Sequence, residues 1–178
     1  MKKAPFIWSF LLVILVSCSA FVKKPAFTHR FSALEERPIA SIALLPSVEG
    51  RWVEEGIRIC PLCRDSVIGG EVIEGATSLL DRILVEVTGD IKGYRWVKSE
   101  KALEILHADP SLTPSTLKSV GEALGVDALL VCVVLRMEER EGSSWAASRP
   151  AAVAFDLHLI RADDLTPLWE GKYREVQE

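Results

Sequence analysis

Apolar positions along this chain follow three spacings, and each predicts a different element. Ile39-Ala40-Ser41-Ile42-Ala43-Leu44-Leu45 is a short apolar run closed by Pro46, the pattern of a buried strand. Residues 47–74 show no such run. They read as a long irregular connection holding Trp52, the Cys60-Pro61-Leu62-Cys63 pair and a Gly69-Gly70 turn. Connections of that length without periodic structure are usually functional or disordered. The clearest helix comes next: Ala76, Leu79, Leu80, Ile83, Leu84 and Val87 recur at helical spacing as one apolar stripe. Asp81, Arg82 and Glu86 fall on its wet face, and Gly89 is placed to end it.

Tyr94-Arg95-Trp96-Val97 predicts a second short strand, and Ser99 an N-cap for a helix running through Leu106. Asp109-Pro110 breaks the chain. Thr113-Pro114 then opens another helix, with Leu117, Val120, Gly121 and Leu124 inward and Gly125 as its stop. Residues 128–135 are apolar without alternation, which predicts a central strand covered on both faces. Residues 138–149, charged and then small and polar, read as an exposed hairpin loop. After it Val153, Phe155, Leu157 and Leu159 alternate with Asp156 and His158, and a last strand carries Trp169, Gly171 and Tyr173 opposite Glu170, Lys172 and Arg174. The order is β-α-β-α-α-β-β-β. It predicts an α/β (α+β) domain, a mixed sheet of about five strands with three helices packed on it.

One apolar run falls outside this domain. Phe6 to Val16 follows Lys2 and Lys3 and has the length of a signal-peptide core, well short of the roughly 20 residues that span a bilayer. It ends in Leu15-Val16-Ser17-Cys18, which resembles a lipobox: aliphatic residue, tolerant position, small residue, then the cysteine whose thiol takes up lipid. Two other readings of the stretch stay open, an uncleaved signal anchor reaching Val22 and ordinary secretion with cleavage near Ala20. The lipobox reading divides the chain into a signal peptide (1–17), a lipidated N-terminus and flexible tether (18–37) and a single globular domain (38–178). Ser19 in place of Asp resembles an outer-membrane sorting signal, which implies a periplasm-facing anchor.

Charge narrows the partners. The chain carries 21 basic and 25 acidic residues, a net charge of −4, and losing Lys2 and Lys3 leaves it more acidic. Without a basic stripe it does not fit nucleic acid, whose binding rests on neutralising phosphates.

The chemistry candidates are few. Two exported thiols at CxxC spacing most simply close a local disulfide, Cys60–Cys63, although free thiols, a metal half-site and a redox pair share the spacing. No metal-ligand set is read, because His29, His107 and His158 are isolated in sequence and a structural zinc wants four ligands. Cys132, inside the apolar run, reads as a small core residue. Glu54-Glu55, Glu138-Glu139 and Asp163-Asp164 read as solvated loop charges, and Asp156 with His158 as a polar sheet face. No nucleophile or phosphate-binding motif is present. The residues therefore predict no enzyme, no catalytic residue and no cofactor beyond lipid on Cys18.

Ile42-Ala43-Leu44-Leu45-Pro46, the junction Leu124-Gly125-Val126-Asp127-Ala128-Leu129-Leu130, and Phe155-Asp156-Leu157 leading to Leu168-Trp169-Glu170-Gly171 resemble a family. It is the domain of small envelope lipoproteins in the curli-secretion-channel, LpoB and TolB N-terminal superfamily, and the likeness covers roughly residues 39–176. The resemblance implies a non-catalytic accessory or adaptor of an envelope complex, used in assembly, secretion or cell-wall work, with a protein partner. The 138–149 loop is too short and charged for the membrane-crossing hairpins of a channel subunit, whose strands need about 10 alternating residues. Two other functions remain beside it: a thiol-redox or metal-binding module at Cys60 and Cys63, and a peptidoglycan or small-ligand site near Trp52 or Trp145.

The lipobox reading has a direct test. Mass spectrometry of the membrane-extracted protein is expected to show an N-terminal acylated Cys18, and Cys18→Ser to abolish both processing and acylation. An intact Met1 in the wild type contradicts it.

Overall fold

The computed structural model describes residues 26–68, 70–98, 100–108, 112–143 and 147–177. Leu15, Val16, Ser17 and Cys18, with the whole signal segment, lie outside them, as do Gly69, Ser99, Asp109-Pro110 and Trp145.

The spine of the fold is the run that lacked a polar face. β8 (Ala128–Glu138) pairs in parallel with β2 (Ser41–Leu44) on one side and antiparallel with β11 (Ala152–Arg161) on the other. The sheet continues outward through β7 (Arg95–Val97), parallel to β2, and through β12 (Pro167–Val176), antiparallel to β11. Leu129, Val131, Val133 and Leu135 enter one core, while Leu130, Cys132 and Val134 enter the other. Helix α2 (Ala76–Asp90) covers the second face, and α3 (Glu100–Ala108) and α4 (Pro114–Leu124) cover the first. The predicted order of helices and strands is therefore present as a mixed α+β sheet, with helices on both faces.

The ends of α4 form as their residues dictate. Thr113 Oγ1 accepts the Thr116 N–H at 3.2 Å, and Pro114 needs no donor at the first helical position. Gly125 turns the chain at φ 58°, its N–H donating to Gly121 O. Two residues on, Asp127 joins strands. Its Oδ2 accepts from the N–H groups of Ala40 and Ser41 at 2.9 and 2.8 Å and from Ser41 Oγ at 2.8 Å, so the start of β8 is bolted to the start of β2. Gly121 lets α4 sit close to the β11–β12 turn, since a Cβ there would stand 2.9 Å from that of Ala162.

Three differences from the sequence reading have physical causes. Residues 26–37 are not all tether: β1 (Ala26–Arg30) adds an edge strand antiparallel to β12, and α1 (Ala33–Glu36) follows. Every side chain of β1 is exposed, so its place in the sheet rests on main-chain pairing with β12 and no hydrophobic period marks it. Residues 47–74 are not irregular. They hold β3 (Val48–Glu49), which pairs with β8, and a three-stranded sheet of β4 (Arg51–Glu54), β5 (Ile57–Ile59) and β6 (Ser66–Ile68), strands too short to show alternation. The charged stretch 138–149, read as an exposed hairpin loop, does form a short hairpin of β9 (Glu141–Gly142) with β10 (Ala147–Arg149), and β8 runs on to Glu138, the start of that stretch. On α2 only part of the apolar stripe is covered: Leu80 and Leu84 are buried, whereas Leu79, Ile83 and Val87 are exposed, and Gly89 lies inside the last turn.

Asp127 gives a pH-dependent prediction. The Ala40 N–H, then the Ser41 hydroxyl and N–H, hold its carboxyl below its ordinary value of 3.8. A depressed carboxyl stabilises fully above the unfolded value and loses that contribution as pH falls through the folded one. Asp127→Ala is expected to lower unfolding free energy by about 1–2 kcal/mol at neutral pH, the range of a lost cap. The gap to wild type should close in acid; one that stays constant down to about pH 2 contradicts the role.

Candidate functional site

Strand β11 alternates as expected, but its polar residues are the deeply buried ones. Asp156 is 0% and His158 5% exposed, while Phe155, Leu157 and Leu159 on the other face are half-buried. The cover over this polar face is the small β4–β6 sheet, which lies over the same side of β8 and β11 as α4. Gly50 allows this contact, because a Cβ there would meet Leu135 Cδ2 at 2.5 Å and Ile59 O at 2.8 Å. Arg58, buried in β5, reaches Glu49 at 2.6 Å and lies 4.3 Å over the Trp52 ring.

The loop from β5 to β6 carries both cysteines. Cys60 N–H donates to Asp65 O at 2.8 Å and Arg64 N–H to Cys60 O at 2.9 Å, with Arg64 at φ 64°. This tight turn brings both sulfurs onto β11. Cys60 Sγ lies 3.2 Å from His158 Nε2, and Cys63 Sγ lies 3.6 Å from Asp156 Oδ2. The N–H groups of Leu62 and Cys63 face the Cys60 sulfur, and that of Asp65 faces the Cys63 sulfur. Cys60 and Cys63, the pair expected to close a local disulfide, stand here as free thiols, each turned toward a β11 side chain. The ligating atoms of Cys60, Cys63, Asp156 and His158 all lie within 4.8 Å of one another.

Charge around the group is arranged asymmetrically. Arg174 Nη2 donates to Asp156 Oδ1 at 2.6 Å, leaving Oδ2 to face Cys63. Burial nevertheless raises the Asp156 carboxyl above its ordinary value, outweighing the pull of Arg174. The hydrogen bond from Cys60, followed by those from His158 and the Asp65 N–H, lowers the Cys63 thiol to about 4. The same contact with Cys63, together with burial, pushes the Cys60 thiol up. Lys172 bridges Asp65 at 2.8 Å and Glu170 at 3.5 Å beside them. A cleft of about 400 Å³ opens alongside, lined by Pro61, Leu62, Cys63, His158, Leu165 and Glu170 among others.

This arrangement suits ligation better than nucleophilic catalysis. Cys60, the thiol 3.2 Å from the imidazole, is 0% exposed, and Asp156 turns one oxygen to Arg174 and the other to Cys63 rather than orienting His158. The other candidates are not gathered here. Cys132 sits in the opposite core, where burial pushes its thiol up to about 12. Asp163 and Asp164 pair with Arg37, Glu138 pairs with Arg136, and His29 lies on the exposed edge strand. Trp52 is half-exposed beside a shallow depression of its own hairpin, with Arg58 over its ring. Sequence reasoning missed Asp156 and His158 as partners of the cysteines. The available signal was their shared parity with Ala154 and Ile160, which face the more crowded core.

These elements define an α+β domain with helices on both faces of a mixed sheet and a small sheet capping one face. The same fold occurs in a lipoprotein from Neisseria meningitidis, with a TM-score of 0.50 at 16% identity over 77% of this chain and 83% of that one. It also occurs in a PelC dodecamer from Paraburkholderia phytofirmans, with a TM-score of 0.51 at 8% identity over 85% and 82%. The LpoB C-terminal domain from Salmonella enterica aligns at a TM-score of 0.42 and 11% identity over 83% and 91%. At these identities the likeness is one of fold. No family model and no curated protein matches the chain.

Proposed function

We propose that the protein is a lipid-anchored, non-catalytic accessory component of a bacterial envelope complex, held at the outer membrane facing the periplasm and docking a protein partner through α2. The observation that carries the docking role is the uncovered flank of that helix. Leu79, Ile83 and Val87, with Ile91 just past the helix end, are 41 to 53% exposed and line up along one side. Single exposed apolar residues are ordinary, but a row at helical spacing is the face an amphipathic helix offers to a groove.

A protein groove fits this row better than a lipid surface. Glu86 and Asp90 lie on the same helix and the chain is net acidic, which opposes approach to anionic headgroups. Support for the anchor comes from Leu15-Val16-Ser17-Cys18, and two acyl chains on Cys18 would hold the domain stably, at roughly 0.8 kcal/mol per buried methylene. The lipoprotein from Neisseria meningitidis shares the fold. Among the described residues no helix is long and apolar enough to cross a membrane. β1 leaves little tether, since the sheet already includes Ala26. From Cys18 the chain can extend roughly 3.5 Å per residue, so the partner must lie close to the same membrane.

A photo-crosslinking residue at position 83 of the full chain, in intact cells, tests this reading. One adduct with a different envelope protein is expected at 83, none from the exposed control Glu122 on α4, and at least a tenfold loss in a Val87→Glu background. Adducts with lipid, with a second copy of this chain, or equally from both positions contradict it.

A further inference from the structure

We infer that Cys60, Cys63, Asp156 and His158 form a four-coordinate zinc site that fastens the β4–β6 sheet to β11. The donor set is the first argument. Two sulfurs, one imidazole and one carboxylate are all zinc ligands, and four protein ligands make a closed, structural site with no position for substrate. Thiolates exclude calcium and magnesium, which take oxygen ligands.

Distance is the second argument. Bonds of about 2.3 Å to sulfur and 2.0–2.2 Å to nitrogen or oxygen, at tetrahedral angles, separate neighbouring ligands by roughly 3.4–3.8 Å. Cys63 Sγ and Asp156 Oδ2, at 3.6 Å, lie inside that interval, and Cys60 Sγ and His158 Nε2, at 3.2 Å, are a few tenths short of it. No pair of the four ligand atoms exceeds 4.8 Å, so small side-chain adjustments suffice.

The surroundings supply the rest. Asp156 offers one oxygen inward while Arg174 holds the other at 2.6 Å, the kind of outer partner that orients a ligating carboxylate. Backbone N–H groups face both sulfurs, surroundings that favour the thiolate form a metal takes. Two thiolates and a carboxylate carry three negative charges; a divalent cation and Arg174 cancel them, and thiol protons displaced on binding pass to water. The CxxC loop brings two ligands on one turn and β11 brings two on one strand, so the ion would join segments more than 90 residues apart in sequence.

The test uses the full chain purified from membranes in detergent, reduced, stripped with a chelator and titrated with Co(II), then with Zn(II). Saturation at one equivalent is expected, with a thiolate-to-cobalt charge-transfer band, tetrahedral visible bands and full displacement by Zn(II). Cys63→Ser and His158→Gln should each weaken binding at least tenfold while far-ultraviolet dichroism stays native. The wild-type titration stands by itself if a variant fails to fold. Absence of saturable Co(II) binding to the reduced wild type overturns the site. So does unchanged affinity in a folded Cys63→Ser protein, or a Cys60–Cys63 disulfide in protein extracted without reductant.

Discussion

A strand with no polar face has to be covered twice, and most of this structure follows from that requirement. Strand β8 sends Leu129, Val131, Val133 and Leu135 to one side and Leu130, Cys132 and Val134 to the other, all essentially removed from water. At about 25 cal/mol per Å² of apolar surface, leaving either row wet would remove much of the drive to fold. Helix α2 meets the demand on one face and α3 with α4 on the other. Asp127, at the entry to β8, fixes β2 beside it through three hydrogen bonds.

The far half of the first face is where the cover changes character. Beyond α4, β11 presents Asp156 and His158 where an ordinary sheet would present aliphatic residues. Burying a carboxylate is costly unless it is paired and hydrogen-bonded. Arg174 supplies the pair, and the small β4–β6 sheet closes over the rest with Cys60 and Cys63. This region adds polar groups aimed at one point to its apolar packing, whereas the helical half packs by apolar side chains. The two faces of the same sheet therefore do different work. The row of apolar side chains on α2 faces solvent, and the buried polar group on β11 meets the loop that joins β5 to β6.

Much of this architecture was legible in the sequence, and the misses share a cause. Periodicity located α2, α4, β8 and the closing strands because each buries a continuous stripe. It could not locate β1, whose five exposed side chains carry no pattern, or β4 to β6, whose three- and four-residue strands are shorter than the period needed to see them. Periodicity marks the apolar stripe of α2 without saying what covers it, so the exposure of Leu79, Ile83 and Val87 could not be read from it. At the buried group, the cysteines were visible as a pair. The polar residues of β11 were visible as an alternation, but which face of a strand lies deeper depends on a segment about 95 residues earlier in the chain. Only the fold supplies that information.

Hydrogen exchange of the small sheet tests most directly whether the buried polar group is what secures it. The full chain in detergent would be compared with Zn(II) bound and after chelation, using β8 as an internal reference. The account predicts that amides of residues 57–68 lose protection on chelation while those of 128–138 keep theirs. Equal protection of 57–68 in the two states, or equal loss in both segments, contradicts it.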